Sequence, residues 1–136
     1  MGAYVTRARV HVDRVATAWA IRRFVDPSAT FVFVDRTASL KGLAATPFDM
    51  RGAALGHRNG LCTFETLLEL YELTEPALQR MATVIRAADL PTEEGGPPEA
   101  AGVAAIFDGL RDMPLTDEER LDRGFAVCDG LLAYFS

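Results

Sequence analysis

The segment from His11 to Pro27 constrains the fold most, because it has the ends of a helix and almost no polar side chain between them. Thr17 is the only polar residue in its central part, 15–21. A helix that is apolar on all sides lies inside a domain rather than on its surface. We therefore expect a buried helix with Asp13 at its N-cap and a stop at the proline.

Strands are expected on both sides of this helix. Residues 4–10 alternate weakly between apolar and polar or small side chains, and 30–35 form a β-branched and aromatic run typical of a buried strand. A strand, a helix and a second strand in this order predict a right-handed unit with parallel strands. Ligands of such sheets collect beyond the carboxyl ends of the strands, near helix N-termini. Here that place is the loop 7–14.

The rest of the chain reads as a loop followed by helices. Residues 36–62 contain five glycines or prolines that break the pattern into short segments, so we expect a long ordered loop with a short strand at 47–50. Apolar periodicity and capping signals then predict four helices, about 64–71, 76–89, 99–111 and 116–134. The predicted fold class is α+β, an N-terminal β-α-β unit with a small sheet followed by about four packed helices. We expect the chain to form a single domain, 1–136.

Composition excludes several classes of protein. With 136 residues, 49% of them hydrophobic, the chain suits one core, and no apolar run approaches the ~20 residues that span a bilayer. Residues 1–7 lack the apolar core of a signal peptide. Cys62 and Cys128 have no metal or redox spacing and read as reduced thiols. We expect a cytoplasmic protein without a membrane segment. The glycine patterns of nucleotide sites are missing, so no nucleotide cofactor is expected.

The charge is divided unevenly along the chain. Residues 1–60 hold nine basic against four acidic side chains, and 61–136 hold five against fifteen. Thirteen of the fourteen basic residues are arginine, which suits forked recognition of oxyanions or carboxylates better than diffuse attraction to nucleic acid. The alternative is that codon usage explains the arginines and that the two halves attract each other across the fold.

His57 and Glu65 are the first candidates for chemistry. A loop histidine beside a carboxylate at the start of a helix suits a divalent ion such as zinc, iron or manganese. Their spacing matches no strong metal motif. The structural alternative for His57 is that its side chain fixes the loop by a hydrogen bond. For Glu65 the alternative is that its charge complements the helix dipole.

Cys62 and Asp89 are further candidates. Cys62 is either a thiolate ligand or redox group near Arg58 and a helix start, or a small buried residue. Asp89 ends a predicted helix, where its negative charge opposes the dipole, so it requires an arginine, a metal or solvent as a partner.

Several short motifs in a fixed order resemble one known family. These motifs are Val5-Thr6-Arg7, Asp13-Arg14, Ala18 to Pro27, Thr46-Pro47-Phe48-Asp49, Gly56-His57-Arg58, Leu61 to Glu65, Arg86-Ala87-Ala88-Asp89 and Asp129-Gly130-Leu131. With them the sequence is similar, over nearly its whole length, to the C-terminal domain of bacterial ChrB-type chromate-resistance proteins. The resemblance implies a cytoplasmic, chromate-responsive domain. In the family it usually follows a segment thought to bind DNA, which this sequence lacks, so direct nucleic-acid binding is not expected.

Two functional hypotheses follow, with a structural alternative. In the first, arginines hold chromate or a similar small anion; these are Arg7, Arg9, Arg14 and Arg58. In the second, a divalent metal site makes the chain a metalloprotein, with or without enzymatic activity; its ligands are His57 and Glu65, with Asp13, Asp89 or Cys62. The alternative is a structural module that docks on a separate regulator, and a homodimer is left open. Both hypotheses require Asp13 to lie beside His57 in one polar pocket.

Overall fold

A computed structural model describes residues 2–136. Met1, the first residue of the predicted domain, lies outside the described residues. The elements in chain order are β1 (Ala3–Arg7), α1 (Val12–Ala20), β2 (Thr30–Val34), β3 (Thr46–Pro47), α2 (Thr63–Leu70), α3 (Pro76–Asp89), α4 (Glu99–Asp112) and α5 (Asp117–Phe135). A π-helical turn, Ile21–Val25, extends α1 without a break. The predicted α+β class, with a β-α-β unit and four following helices, is confirmed.

The three strands form one parallel sheet in the order β2-β1-β3. β1 pairs with β2 along its full length, from Ala3 opposite Thr30 to Arg7 opposite Val34. The prediction that 30–35 is a buried strand is wrong in one respect. β2 lies at an edge of the sheet, and Val32 is 49% exposed. A β-branched and aromatic run therefore marked a strand correctly but did not distinguish a central strand from an edge strand.

Helix α1 is the centre of the molecule, as its sequence predicts. It contacts all four later helices. Its buried residues include Trp19, which packs its ring against Phe24 and Phe64. Trp19 also donates its indole N–H to Asp129 of α5 at 2.9 Å, so its one polar atom is satisfied. The helix begins two residues earlier than expected. His11 occupies the N-cap position, and Asp13 lies inside the first turn, so the prediction of Asp13 as N-cap is wrong.

The loop between β2 and α2 is ordered by local pairing. Bridges join Phe48 to Leu55 and Arg58 to Leu61, and both Phe48 and Leu55 are buried. The short strand expected at 47–50 is found at Thr46–Pro47, parallel to β1. Among residues 2–136, no helix combines the length and the apolar character that crossing a bilayer requires.

Close packing between α5 and α1 depends on Gly124. A Cβ at this position would lie 2.4 Å from Cγ1 of Val15 and 3.0 Å from the ring of Phe107. Val15 and Phe107 are both buried, and a β-branched side chain has little rotamer freedom in a helix, so the contact cannot be relieved cheaply.

We therefore expect Gly124→Ala to destabilise the fold. Overpacking costs about 1–3 kcal/mol and exceeds the gain of about 1 kcal/mol in helix propensity. Gly130→Ala is the matched control, because it lies in the same helix and a Cβ added there would meet no atom of another element within 4 Å. Urea denaturation should show a lower free energy of unfolding for Gly124→Ala and an unchanged or higher one for Gly130→Ala. Equal values would contradict the packing argument.

Candidate metal centre

The carboxylate of Asp13 joins the start of α1 to the start of α2. It is almost completely buried, and it accepts hydrogen bonds from the backbone N–H groups of Thr63 and Phe64 at 2.9 Å each. These are the first two residues of α2, whose N–H groups have no partner within their own helix. Asp13 therefore caps a helix 50 residues further along the chain.

Asp49 lies beside Asp13 at the end of the short third strand. It has a left-handed backbone with φ of 49°, which aspartate tolerates better than most residues. Thr63 donates its hydroxyl to Oδ1 of Asp49 at 2.9 Å, and Arg14 donates to the Asp49 carbonyl at 2.9 Å. The Nε of Arg14 lies 3.1 Å from Oδ2 of the same residue, close enough for an ion pair but without hydrogen-bond alignment. Asp49 is thus fixed by both its backbone and its side chain.

His57 completes the group from the loop before α2. Its Nε2 lies 3.1 Å from Oδ2 of Asp13, 3.6 Å from Oδ1 of Asp49 and 3.6 Å from Oδ2 of Asp89. The imidazole is 45% exposed, whereas the carboxylates of Asp13, Asp49 and Asp89 are 2%, 13% and 19% exposed. The histidine therefore lies at the opening of a pocket whose walls are acidic. A groove of about 340 Å³, lined by His57, Asp49 and residues 50–53, leads to it.

This pocket lies where the parallel topology predicts a site. α1 follows β1, and Asp49 follows β3, so both carboxylates come from the carboxyl ends of neighbouring strands. The prediction that Asp13 and His57 share one polar pocket agrees with the 3.1 Å contact between them. Asp89 joins them from the C-terminal end of α3, and His57 and Arg14 are the positive groups next to it.

The carboxylates and the imidazole change each other's protonation. The hydrogen bond to Asp13, together with the negative charges around it, raises the pKa of His57 to about 9. Burial, together with the charges of Asp13 and Asp49, raises the pKa of Asp89 to about 7. Burial and the charge of Asp13 also raise the pKa of Asp49, against the opposing effect of Arg14. The pocket therefore retains protons that the unfolded chain would release.

Three of these residues are arranged as metal ligands would be. One ligand atom each from Asp13, Asp49 and His57 lies within 4.8 Å of the other two. Carboxylate oxygens with one imidazole nitrogen suit manganese, iron or zinc. With its pKa raised to about 9, the imidazole is protonated at neutral pH and, together with Arg14, opposes the charge of the carboxylates. A divalent ion would have to displace that proton.

Three predicted ligands lie outside this group of three: Asp89, which contacts His57 at 3.6 Å, and Cys62 and Glu65 at the start of α2. Glu65 accepts a hydrogen bond from the backbone N–H of Cys62 at 3.1 Å, which closes the capping box of α2. Glu65 also lies 3.6 Å from Arg86. Cys62 is completely buried, and burial raises the pKa of its thiol, so the thiolate that a metal requires is disfavoured. The structure gives Cys62 and Glu65 a role in starting α2.

The guanidinium groups of three arginines of the oxyanion hypothesis contact separate partners. Arg7 donates to the carbonyl of Asp35, Arg14 lies against Asp49, and Arg58 lies 3.7 Å from Glu69. Arg9 has a left-handed backbone, and its backbone N–H donates to the carboxylate of Asp117.

Asp49 and Thr63 are parts of the site that sequence reasoning missed. Asp49 stands inside one of the motifs of the family resemblance, but a single aspartate in a loop carries no spacing signal. Its place directly after a short strand of a parallel sheet is the signal that could have identified it. Thr63 acts through its hydroxyl on Asp49, a contact 14 residues apart that no local pattern encodes.

We expect Asp13→Ala to destabilise the protein by roughly 2–3 kcal/mol. The substitution leaves two buried N–H groups of α2 without an acceptor, and hydrogen bonds to a charged group are worth that much. Asp108→Ala is the control, because Asp108 is an exposed carboxylate that also contacts a histidine, His11, at 2.6 Å. Urea denaturation of both variants should show a large loss only for Asp13→Ala. A loss of similar size in both would contradict the capping role.

The stability of the metal-free protein should fall as pH rises from about 6.5 to about 9. In this range folded His57 is still protonated whereas the unfolded chain has released that proton, so deprotonation favours unfolding. The elevated pKa of Asp89 gives a decline of the same sign between about 4 and about 7. Thermal denaturation in the presence of a chelator should show the decline above pH 6.5 in the parent and a flatter profile in His57→Gln. Parallel profiles would exclude this assignment.

Comparison with known proteins identifies the family of the chain. The family described as ChrB, C-terminal domain, matches residues 4–135. The chain is 38% identical over 136 residues to Protein ChrB of Cupriavidus metallidurans, and the match covers 98% of this chain and 40% of that protein. It therefore spans less than half the length of this curated relative. No solved structure matches it. The resemblance drawn from the ordered motifs is confirmed, and the chain belongs to the ChrB C-terminal domain family.

Proposed function

We propose that this chain is a divalent-metal-binding domain that serves chromate resistance, the role implied by the family resemblance. The observation that carries the proposal is the group formed by Asp13, Asp49 and His57, whose ligand atoms lie within 4.8 Å of one another. His57 and the two carboxylates are the ligands, and manganese, iron or zinc is the ion. Asp89, 3.6 Å from the same imidazole nitrogen, is the fourth ligand.

Hydrogen bonds from neighbouring residues fix the proposed ligands in position, which supports a preformed site over a chance cluster. The N–H groups of α2 fix Asp13, and Thr63 and Arg14 fix Asp49. Such outer contacts orient ligands and are a regular part of metal sites. His57 is the exposed member, so the ion enters where the pocket meets solvent.

Charge favours a cation over an oxyanion at this place. Helix N-termini attract anions, and the starts of α1 and α2 meet here, but Asp13 already provides the negative charge. A doubly charged chromate ion would meet three carboxylates, and Arg14 is engaged by Asp49. We therefore infer that the domain contributes to chromate resistance through a bound cation rather than through direct capture of chromate. A cytoplasmic location fits the two free, buried cysteines.

We expect the purified chain to bind about one divalent ion, with manganese, iron and zinc tested separately by calorimetry and elemental analysis. His57→Ala and Asp49→Asn should each weaken binding by at least about 100-fold, since even outer contacts of a metal site account for 10- to 100-fold. His11→Ala is the matched control, because His11 also contacts a carboxylate, Asp108, but outside the pocket. Affinity should increase between pH 6.5 and 9, as His57 loses its proton.

Two results would contradict the proposal. One is the absence of stoichiometric binding by any of the three metals, and the other is equal binding by His57→Ala and the parent. Chromate titration of the metal-free protein, with sulfate as a comparison, tests the oxyanion hypothesis. Chromate binding that is lost in Arg7→Gln or Arg58→Gln would favour that hypothesis over the metal site.

A further inference from the structure

The outer edge of β2 carries hydrogen-bonding groups that the sheet does not use. In the ladder with β1, the N–H of Thr30 donates to Gly2 at 3.1 Å, and the carbonyl of Val34 accepts from Ala8 at 2.7 Å. Backbone groups alternate along a strand, so Thr30, Val32 and Val34 face β1. The N–H and carbonyl groups of Phe31 and Phe33 therefore point away from the sheet.

The carbonyls on either side of this pair are already occupied. Arg22 donates to the carbonyl of Ala29 at 3.0 Å, and Arg7 donates to that of Asp35 at 3.0 Å. Among residues 2–136, no corresponding partner is found for the backbone groups of Phe31 and Phe33. The open edge is thus limited to two residues that flank Val32.

This edge lacks the devices that keep sheets from pairing. The strand Thr30–Val34 has the sequence Thr-Phe-Val-Phe-Val, without charge or proline. Exposed edges are usually blunted by lysine, proline, a bulge or a very short strand. The opposite edge of the sheet is blunted in this way, because β3 has only two residues and includes Pro47. Val32, at the centre of β2, is 49% exposed.

We propose that a second copy of this chain pairs with this edge, so that β2 lies antiparallel to its copy and Val32 lies on the two-fold axis. Phe31 of each copy is then opposite Phe33 of the other. Each such pair exchanges two hydrogen bonds, and the central valines form the closely spaced pair without hydrogen bonds that alternates with them in antiparallel ladders. The two sheets become one sheet of six strands.

The open edge is complementary to itself. The outward-facing backbone groups of Phe31 and Phe33 lie symmetrically on either side of Val32, as a two-fold contact between identical chains requires. Moving to the next possible register in either direction would place Phe33 opposite Ala29 or Phe31 opposite Asp35. The carbonyls of Ala29 and Asp35 already accept from Arg22 and Arg7, so these registers are disfavoured.

Analytical ultracentrifugation of the chain at about 1 to about 500 µM tests the proposal. These concentrations cover the dissociation constants expected for a small interface. The parent should shift from monomer toward dimer mass as concentration rises. Val32→Lys should remain monomeric, because it places two positive charges side by side on the axis. Ile106→Lys, which changes an equally exposed residue on α4, should dimerise like the parent. Circular dichroism verifies that both variants are folded.

A cross-link distinguishes this register from other modes of association. Val32→Cys should form a disulfide-linked dimer on oxidation, because the paired residues on the axis are close, whereas Ile106→Cys should not. The two native cysteines are buried and do not compete. A monomeric parent at all concentrations, or a dimer that Val32→Lys does not weaken and Val32→Cys does not link, would overturn the proposal. Metal binding is measured separately, so either proposal can fail alone.

Discussion

The hydrogen bonds from α2 to Asp13 are the interaction on which the rest of the structure depends. Two N–H groups at the start of α2 are buried where water cannot accept their hydrogen bonds. The carboxylate of Asp13 in α1 accepts both. Because Asp13 belongs to the central helix, this contact fixes where α2 begins relative to the core. The loop that precedes α2, including His57, is positioned by the same contact.

The same carboxylate therefore has a structural and an electrostatic role. Its bonds with Thr63 and Phe64 hold it in place, and its Oδ2 still faces the imidazole of His57. The carboxylate of Asp13 is thereby held at a fixed place beside the other titratable groups of the pocket. The hydrogen bond to Asp13 and the surrounding negative charges raise the pKa of His57 against the opposing effect of burial, whereas burial and the charges of Asp13 and Asp49 raise the pKa of Asp89. Stability of α2 and the chemistry of the pocket are thus inseparable at this residue.

Most of the fold could be predicted from local patterns. The nearly unbroken apolar segment identified α1 as the central helix, and Thr116 with its capping-box partner Glu119 marked the start of α5. The patterns failed where partners are distant in sequence. Asp13 looked like a cap for its own helix, since a sequence shows only the nearest N–H groups and not those 50 residues away. The edge position of β2 was missed because alternation and composition describe a strand's faces and not its neighbours.

The charge balance of the pocket is the argument that favours the proposed cation site over a purely structural network. A purely structural network is complete when permanent partners neutralise each carboxylate, and here Arg14 is the only arginine paired with Asp13, Asp49 or Asp89 within the described residues. The remaining positive charge comes from His57, which is titratable and nearly half exposed. When His57 loses its proton, its Nε2 becomes able to bind a cation, because protonation and metal ligation use the same nitrogen. In the proposed metal site, the ion would therefore enter and leave on the histidine side, since the carboxylate side is buried.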